Sequence, residues 1–140
     1  MKTMSSLLLA GALALTSGCL NSATASAPEQ GRWRLAKAGD LVLPADSVQF
    51  SIEFSATDGG VSGQVACNRW RGMFVDGSGP FKLQNASSTK KRCPSAAPAL
   101  ATLEQTFLKK LSEGARSSHE GAAWTLTFTD GTRWVFAPLP

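Results

Sequence analysis

Few side chains in this chain are of the types that carry out catalysis. The 140 residues include one histidine and three cysteines. His119 stands beside Ser117, Ser118 and Glu120, a grouping that contains the residue types of a hydrolase triad. Adjacent residues of a strand point to opposite faces, however, and a triad requires side chains that converge in space. No Gly-x-Ser-x-Gly sequence is present to form a nucleophile elbow.

The acidic residues give no sign of a metal site or of paired carboxylates. Asp58, Asp76 and Asp130 each precede a glycine, a position where aspartate is typical of turns. With a single histidine, a zinc site would need cysteines that are better explained in other ways. No phosphate-binding glycine loop is present. We therefore predict no catalytic residue, no metal and no cofactor, and we predict that the chain is not an enzyme.

The first residues predict export followed by lipidation. Lys2 precedes a short apolar run, Leu7–Leu15, which is typical of a secretory signal. Ser17 and Gly18 then lead directly into Cys19, and this order resembles the bacterial lipobox. We expect acylated Cys19 to anchor the chain in the membrane. Because no aspartate follows the cysteine, the expected location is the outer membrane, facing the periplasm. An ordinary signal peptide cleaved a few residues further on is the alternative.

The chain is predicted to hold one folded domain behind this signal. Residues 1–18 are the lipoprotein signal peptide, residues 19–30 form a flexible tether of small and polar residues, and residues 31–140 form the domain. Hydrophobic residues make up 43% of the chain and charged residues 17%, which is typical of a globular protein. The formal net charge is +4 with scattered cations, so we expect no nucleic-acid partner.

The other two cysteines, Cys67 and Cys93, are predicted to form a disulfide. Once Cys19 is lipidated the remaining number is even, and the periplasm is oxidising. Cys67 continues an alternating strand and is expected to face the core. A redox role is the alternative, although no Cys-x-x-Cys sequence supports it.

Two hairpins are predicted from alternating polarity. Residues 48–57 alternate between apolar and polar, and a turn at residues 58–60 leads into a second strand that ends at Cys67. Residues 124–128 and the strand that follows are joined by Asp130-Gly131, a strong hairpin turn. Pro138 is expected to end this second ladder.

Residues 95–113 carry leucine and phenylalanine at helical spacing. Ser95 is the expected cap of this helix, and Gly114 is the expected end. The fold class is therefore α+β. We expect a mainly antiparallel curved sheet, or a small partly open barrel, with one amphipathic helix inserted before the last strands.

Short landmarks follow one another in a characteristic order from Trp33 to Phe136. They are Trp33-Arg34-Leu35, Gly63 to Asn68, Trp70 to Phe74, Ser88 to Cys93, Phe107 to Leu111 and the closing apolar strands. This series resembles the META domain family, the HslJ-like proteins. The resemblance implies a compact β-rich domain that is often a periplasmic lipoprotein. It also implies a link to heat stress and drug tolerance, and no established enzymatic chemistry. Ala66 stands where the family usually has glycine.

Six residues are candidates for binding: Asn68, Arg69, Trp70, Lys90, Lys91 and Arg92. The run from Lys90 to Arg92 is either a solvated loop or a contact for the phosphates of lipopolysaccharide or anionic head groups. Asn68 is either a turn former or a polar contact in a cleft. Arg69 and Arg71 flank Trp70, and they either extend this basic run or lie with their aliphatic stems along its rim.

The sequence favours a non-enzymatic envelope lipoprotein of the META type, acting as a binding or stress-response module. Its partner, a protein or a lipid, is not identified by the sequence. One alternative is a carrier of lipids or other hydrophobic molecules, or a protein similar to the pilots of secretins. Another is a small secreted inhibitor of an envelope-attacking enzyme. Four tryptophans are bulky enough to fill a small barrel, which favours a packed interior over a cavity.

Overall fold

The computed structural model describes residues 31–75, 80–94 and 97–140. The predicted signal peptide, the tether with Cys19, Asp76 and Ser95 lie outside the described residues. The elements within them are β1 (Arg32–Ala38), β2 (Leu41–Val42), β3 (Ser51–Phe54), β4 (Gly60–Val65), β5 (Asn68–Phe74), β6 (Leu83–Ser88), α1 (Pro98–Glu113), β7 (Ala115–Glu120), β8 (Ala123–Phe128) and β9 (Arg133–Leu139).

The strands form one antiparallel sheet that curves into a half-barrel. Its order is β6-β5-β4-β3-β1-β9-β8-β7, and β2 pairs with β1. The N–H of Ala115, at the start of β7, donates to the carbonyl of Phe81, just before β6, at 2.8 Å. The two ends of the sheet therefore meet at this point. The predicted α+β fold class is confirmed.

The first predicted hairpin is present, but both of its ends differ from the prediction. β3 is shorter than residues 48–57, and Val48 is 44% exposed. Ala66 and Cys67 form the turn between β4 and β5, which the pair Val65–Asn68 closes. Ala66 has a φ of 54°, a left-handed conformation that ends the alternation at Val65. The expectation that Cys67 faces the core was therefore wrong, and Cys67 is exposed.

Helix α1 begins later than predicted. Ala97 occupies the N-cap position, and Pro98 opens the first turn. Proline suits this position because its missing N–H would have no helical partner there. The helix ends at Gly114, as expected. Phe107, fully buried, stacks on Trp134 with ring centroids 5.2 Å apart, so the apolar stripe of the helix packs against the sheet.

The C-terminal hairpin is also present, with Leu126 opposite Trp134. The expectation that Pro138 ends the ladder was wrong, because β9 continues through it to Leu139. The pairing of β8 with β9 ends at Phe136, so at Pro138 strand β9 pairs only with β1. A residue without an N–H is tolerated where one side of the strand has no partner.

Aromatic rings fill the concave side of the sheet. Trp124 is fully buried, and its ring centroid lies 4.8 Å from that of Phe136 and 5.5 Å from that of Phe81. Trp33, Trp70 and Trp134 are at most 5% exposed. All four tryptophans thus belong to the core, and the convex side of the sheet carries the polar surface.

Candidate basic binding surface

The candidate binding residues of strand β5 lie on both of its faces. Asn68 and Trp70 point inward and are 5% and 3% exposed. Arg69 and Arg71 point outward and are exposed. The alternation of a strand places these two guanidinium groups on one face, about 7 Å apart along the chain. Trp70 is therefore part of the core beneath this surface.

Trp70 fixes β5 to the rest of the sheet. Its indole N–H donates to the carbonyl oxygens of Ser51 at 3.2 Å and Gln64 at 3.3 Å. Gly63 lies opposite Trp70 in the β4–β5 ladder. A Cβ at Gly63 would stand 1.9 Å from the Ser51 oxygen and 3.0 Å from the indole nitrogen. The close approach of the three strands therefore requires glycine at this position.

Asn68 holds the segment that carries the basic run. Its side-chain oxygen accepts hydrogen bonds from the Lys91 N–H at 2.7 Å and the Thr89 hydroxyl at 2.9 Å. Its amide nitrogen donates to the Lys91 carbonyl at 3.0 Å and lies 3.4 Å from the sulfur of Cys93. The side chain of Asn68 thus binds a distant part of the chain, and its hydrogen-bonding groups are already occupied.

The predicted disulfide between Cys67 and Cys93 is present, with Cα atoms 5.5 Å apart. The N–H of Cys67 also donates to the sulfur of Cys93 at 3.1 Å. At the other end of the segment, Thr89 and Arg69 exchange two hydrogen bonds through the Thr89 N–H and hydroxyl. Residues 89–93 are therefore held at both ends and in the middle.

Five exposed cations collect around this segment, and we call them the basic surface: Arg69, Arg71, Lys90, Lys91 and Arg92. They line two open cavities, of about 620 and 440 Å³, that share Ser88 and Thr89. The larger cavity also meets the outer turns of α1, where Glu104 is the one carboxylate that lines either cavity among the described residues. None of the five cations forms an ion pair within the described part of the chain.

Two serines next to the basic surface were not predicted from the sequence. Ser62 and Ser87 flank Arg71 on the neighbouring strands β4 and β6. Both hydroxyls are exposed and line the smaller cavity. Only the register between strands brings them to Arg71. Isolated serines in alternating strands carry no such signal in the sequence.

The grouping around His119 is split by its strand. Ser117 and His119 share the inward face of β7, where the Ser117 hydroxyl accepts a 2.7 Å hydrogen bond from the indole of Trp124. The ring of His119 lies 5.9 Å from that of Trp33, and its Nε2 atom is buried without a hydrogen-bond partner among the described residues. Glu120 pairs instead with Arg133 at 3.6 Å. Histidine, cysteine and acidic side chains form no cluster of three or more in the described ranges.

Two carboxylates have shifted pKa values, and both stabilise turns. Asp58 also lines a cavity together with Arg71 of the basic surface. A hydrogen bond from Lys110 lowers the pKa of Asp130 to about 2, with help from the N–H of Thr132. The N–H of Gly60, followed by the Ser55 hydroxyl, lowers the pKa of Asp58. Both residues precede glycine, as the turn prediction required. They act as acceptors for turn N–H groups.

The helix of the described residues does not have the length and apolarity needed to cross a membrane. No curated protein sequence matches the chain.

Two solved structures share the fold. An NMR structure of a protein from Burkholderia xenovorans superposes with a TM-score of 0.66 at 18% identity, over 99% of this chain and 97% of that one. A second NMR structure gives a TM-score of 0.61 at 24% identity, over 76% of this chain and 87% of that chain. The META domain model matches residues 25–140. The chain therefore belongs to the META domain family.

Proposed function

We propose that this protein is a non-enzymatic binding module of the bacterial cell envelope that takes part in the response to heat or drugs. In this proposal acylated Cys19 anchors the chain to the outer membrane, and the domain faces the periplasm. The basic surface binds an anionic component of the envelope. The observation that carries the proposal is the concentration of five exposed cations, without ion pairs in the described ranges, around two adjoining cavities where Glu104 is the one carboxylate among the described lining residues.

The rigidity of the basic surface supports a role in recognition. Lys91 is tied through both its N–H and its carbonyl to the buried side chain of Asn68. The disulfide at Cys93 closes the segment immediately afterwards. A partner would therefore meet a backbone that is already ordered, so binding costs less conformational entropy than it would on a free loop.

The filled concave side favours surface binding over the enclosure of an acyl chain. Phe107 of the helix lies 5.2 Å from Trp134 and 5.5 Å from Phe50, measured between ring centroids. These rings occupy the space between helix and sheet that a carrier would leave for its ligand.

Site-specific photo-crosslinking in living cells tests the binding role. A benzophenone side chain at Lys91 is expected to capture an envelope component. The matched control is the same group at Ser118, an exposed residue of β7 that lines neither of the two cavities. Equal capture from both positions, or none from Lys91, would contradict the proposal.

Fatty-acid labelling tests the anchor separately. We expect a labelled fatty acid to be incorporated into the wild-type chain and not into Cys19→Ser. The variant should also leave the membrane fraction. An unlabelled wild-type chain would refute lipidation.

A further inference from the structure

We infer that the outer face of β5, with its neighbours on β4 and β6, binds the phosphate groups of an anionic lipid bilayer. This inference rests on the proposed function and names the ligand of the basic surface. It is carried by the arrangement of Arg69, Arg71 and the residues beside them on the convex side of the sheet.

The central row of this face consists of Ser62, Arg71 and Ser87. The three residues lie directly opposite one another on three adjacent strands, which are about 4.8 Å apart in a sheet. The two serine hydroxyls make no hydrogen bond to any other group in the described ranges, and both are exposed. The guanidinium of Arg71 can form a bidentate pair of hydrogen bonds with a phosphate, and the hydroxyls of Ser62 and Ser87 can donate to the same group from either side.

Arg69 lies on the same face, two residues along β5 from Arg71. Arg69 lies opposite Gln64 on one side, and its backbone is hydrogen-bonded to Thr89 on the other. The nearest carboxylate in line with the first row is Glu53, on β3 beyond Ser62. Its side chain is engaged with Arg32 at 3.4 Å. Asp58, which lines a cavity together with Arg71, accepts a hydrogen bond within its own turn. Arg71 forms no ion pair among the described residues, so its charge is available to an external anion.

Exposed apolar side chains on the same face favour a bilayer over a soluble phosphate. Met73 and Val75 continue the outward alternation of Arg69 and Arg71, and they are 42% and 40% exposed. Cations next to exposed apolar groups are typical of surfaces that lie at the boundary between head groups and acyl chains. A small soluble anion would make no use of them.

The proposed anchor at Cys19 would bring this face within reach of a membrane. Twelve residues, 19–30, precede the described part of the chain, and a flexible linker of that length would span about 20 Å on average. A domain anchored at Cys19 would therefore remain close to the bilayer. Each cation near an anionic surface then strengthens binding about fivefold.

Arginine footprinting on the mature lipidated chain in nanodiscs tests the inference. The chain is placed in discs of phosphatidylcholine alone or with phosphatidylglycerol, and the reaction of each arginine with a glyoxal reagent is measured by mass spectrometry. We expect Arg69 and Arg71 to react about fivefold more slowly in the phosphatidylglycerol discs, the factor that one near-surface cation contributes. Full reactivity should return in about 1 M salt, where the Debye length is about 3 Å. Arg133, whose side chain is 55% exposed on β9, is the internal control.

A matched pair of variants separates the apolar contribution from charge. Met73→Gln keeps every charge and should weaken the protection of Arg69 and Arg71. Val42→Gln changes a residue of β2 that is 70% exposed and should leave the protection unchanged.

Three results would overturn the inference: equal reactivity in both kinds of disc, equal protection of Arg133, or equal protection by inorganic phosphate in neutral discs. If Lys91 captures an envelope component in cells but Arg69 and Arg71 are not protected in the discs, the bilayer is refuted as the ligand. The proposed role as a binding module would then still be supported. Failure of both experiments would refute both proposals.

Discussion

The indole nitrogen of Trp70 lies 3.2 Å from the carbonyl oxygen of Ser51, although their strands, β5 and β3, are separated by β4. The contact exists because Gly63, the residue of β4 between them, has no side chain. Three strands are thus joined at one buried point. The outward-facing arginines of β5 stand on either side of it.

Replacement of Trp70 by phenylalanine should measure this contact. Trp70→Phe keeps a ring but removes the N–H donor from two carbonyls. We expect the free energy of unfolding to fall by about 1–3 kcal/mol for the unpaired groups, beyond the loss from reduced volume. Denaturant titration measures this fall in the free energy of unfolding. Trp134→Phe is the control, since the Trp134 N–H makes no hydrogen bond in the described ranges and the ring is equally buried. Equal losses in the two variants would show that the hydrogen bond contributes nothing.

The two disulfide cysteines should be equivalent in their effect on stability. Cys67→Ala, Cys93→Ala and the double variant are each expected to lose about 2–5 kcal/mol, because the first substitution already removes the bond. Separate thiols would instead give losses that add. Thiol titration of the oxidised wild-type chain provides a direct check, and two free thiols would contradict the bond.

Removal of the Asn68 side chain should loosen the basic segment. Asn68→Ala leaves the N–H and the carbonyl of Lys91 without their partners. We expect a loss of about 1–3 kcal/mol and faster hydrogen exchange of the Lys91 amide. Gln84→Ala, a substitution at an exposed position of β6, is the control and should change neither the stability nor the exchange of the Lys91 amide. Unchanged exchange at Lys91 in Asn68→Ala would show that other contacts hold the segment.

Acid should weaken the C-terminal hairpin turn through Asp130. The pKa of this carboxyl is lowered to about 2, chiefly by the hydrogen bond from Lys110. A lowered folded-state pKa gives stability that is complete above the ordinary value and is lost as the pH falls through the folded value. The stability difference between wild type and Asp130→Asn should therefore be constant near neutrality and shrink between about pH 4 and pH 2.

Denaturant titrations over this pH range, repeated at high salt, measure the Asp130 effect. Asp46→Asn is the control, since Asp46 makes no hydrogen bond or ion pair among the described residues. A difference between wild type and Asp130→Asn that does not change with pH would contradict the prediction.

Local patterns predicted helix α1 and the two hairpins, whereas strands such as β2 and β6 were not predicted. Alternation around Phe50 and Ile52 and around Trp124 and Leu126 identified strands because one face of each is buried. The pairing of β1 with β9 joins the two ends of the domain, and no spacing within either strand indicates it.

The candidate site was partly predictable for the same reason. The basic run from Lys90 to Arg92 is visible in the sequence. Its support by Asn68 and the serines beside Arg71 depend on strand register. Cys67 was assigned to the wrong face because the left-handed turn at Ala66 stops the alternation one step early. Glycine at this position would have marked the turn.

The place of β1 between β3 and β9 has a consequence for folding. Among the described strands β1 comes first and β9 last, so one edge of β1 stays open until β9 pairs with it. A chain truncated after Gly131 would leave the edges of both β1 and β8 without their shared neighbour, and open edges recruit other chains. The pairing of β9 therefore closes two edges at once.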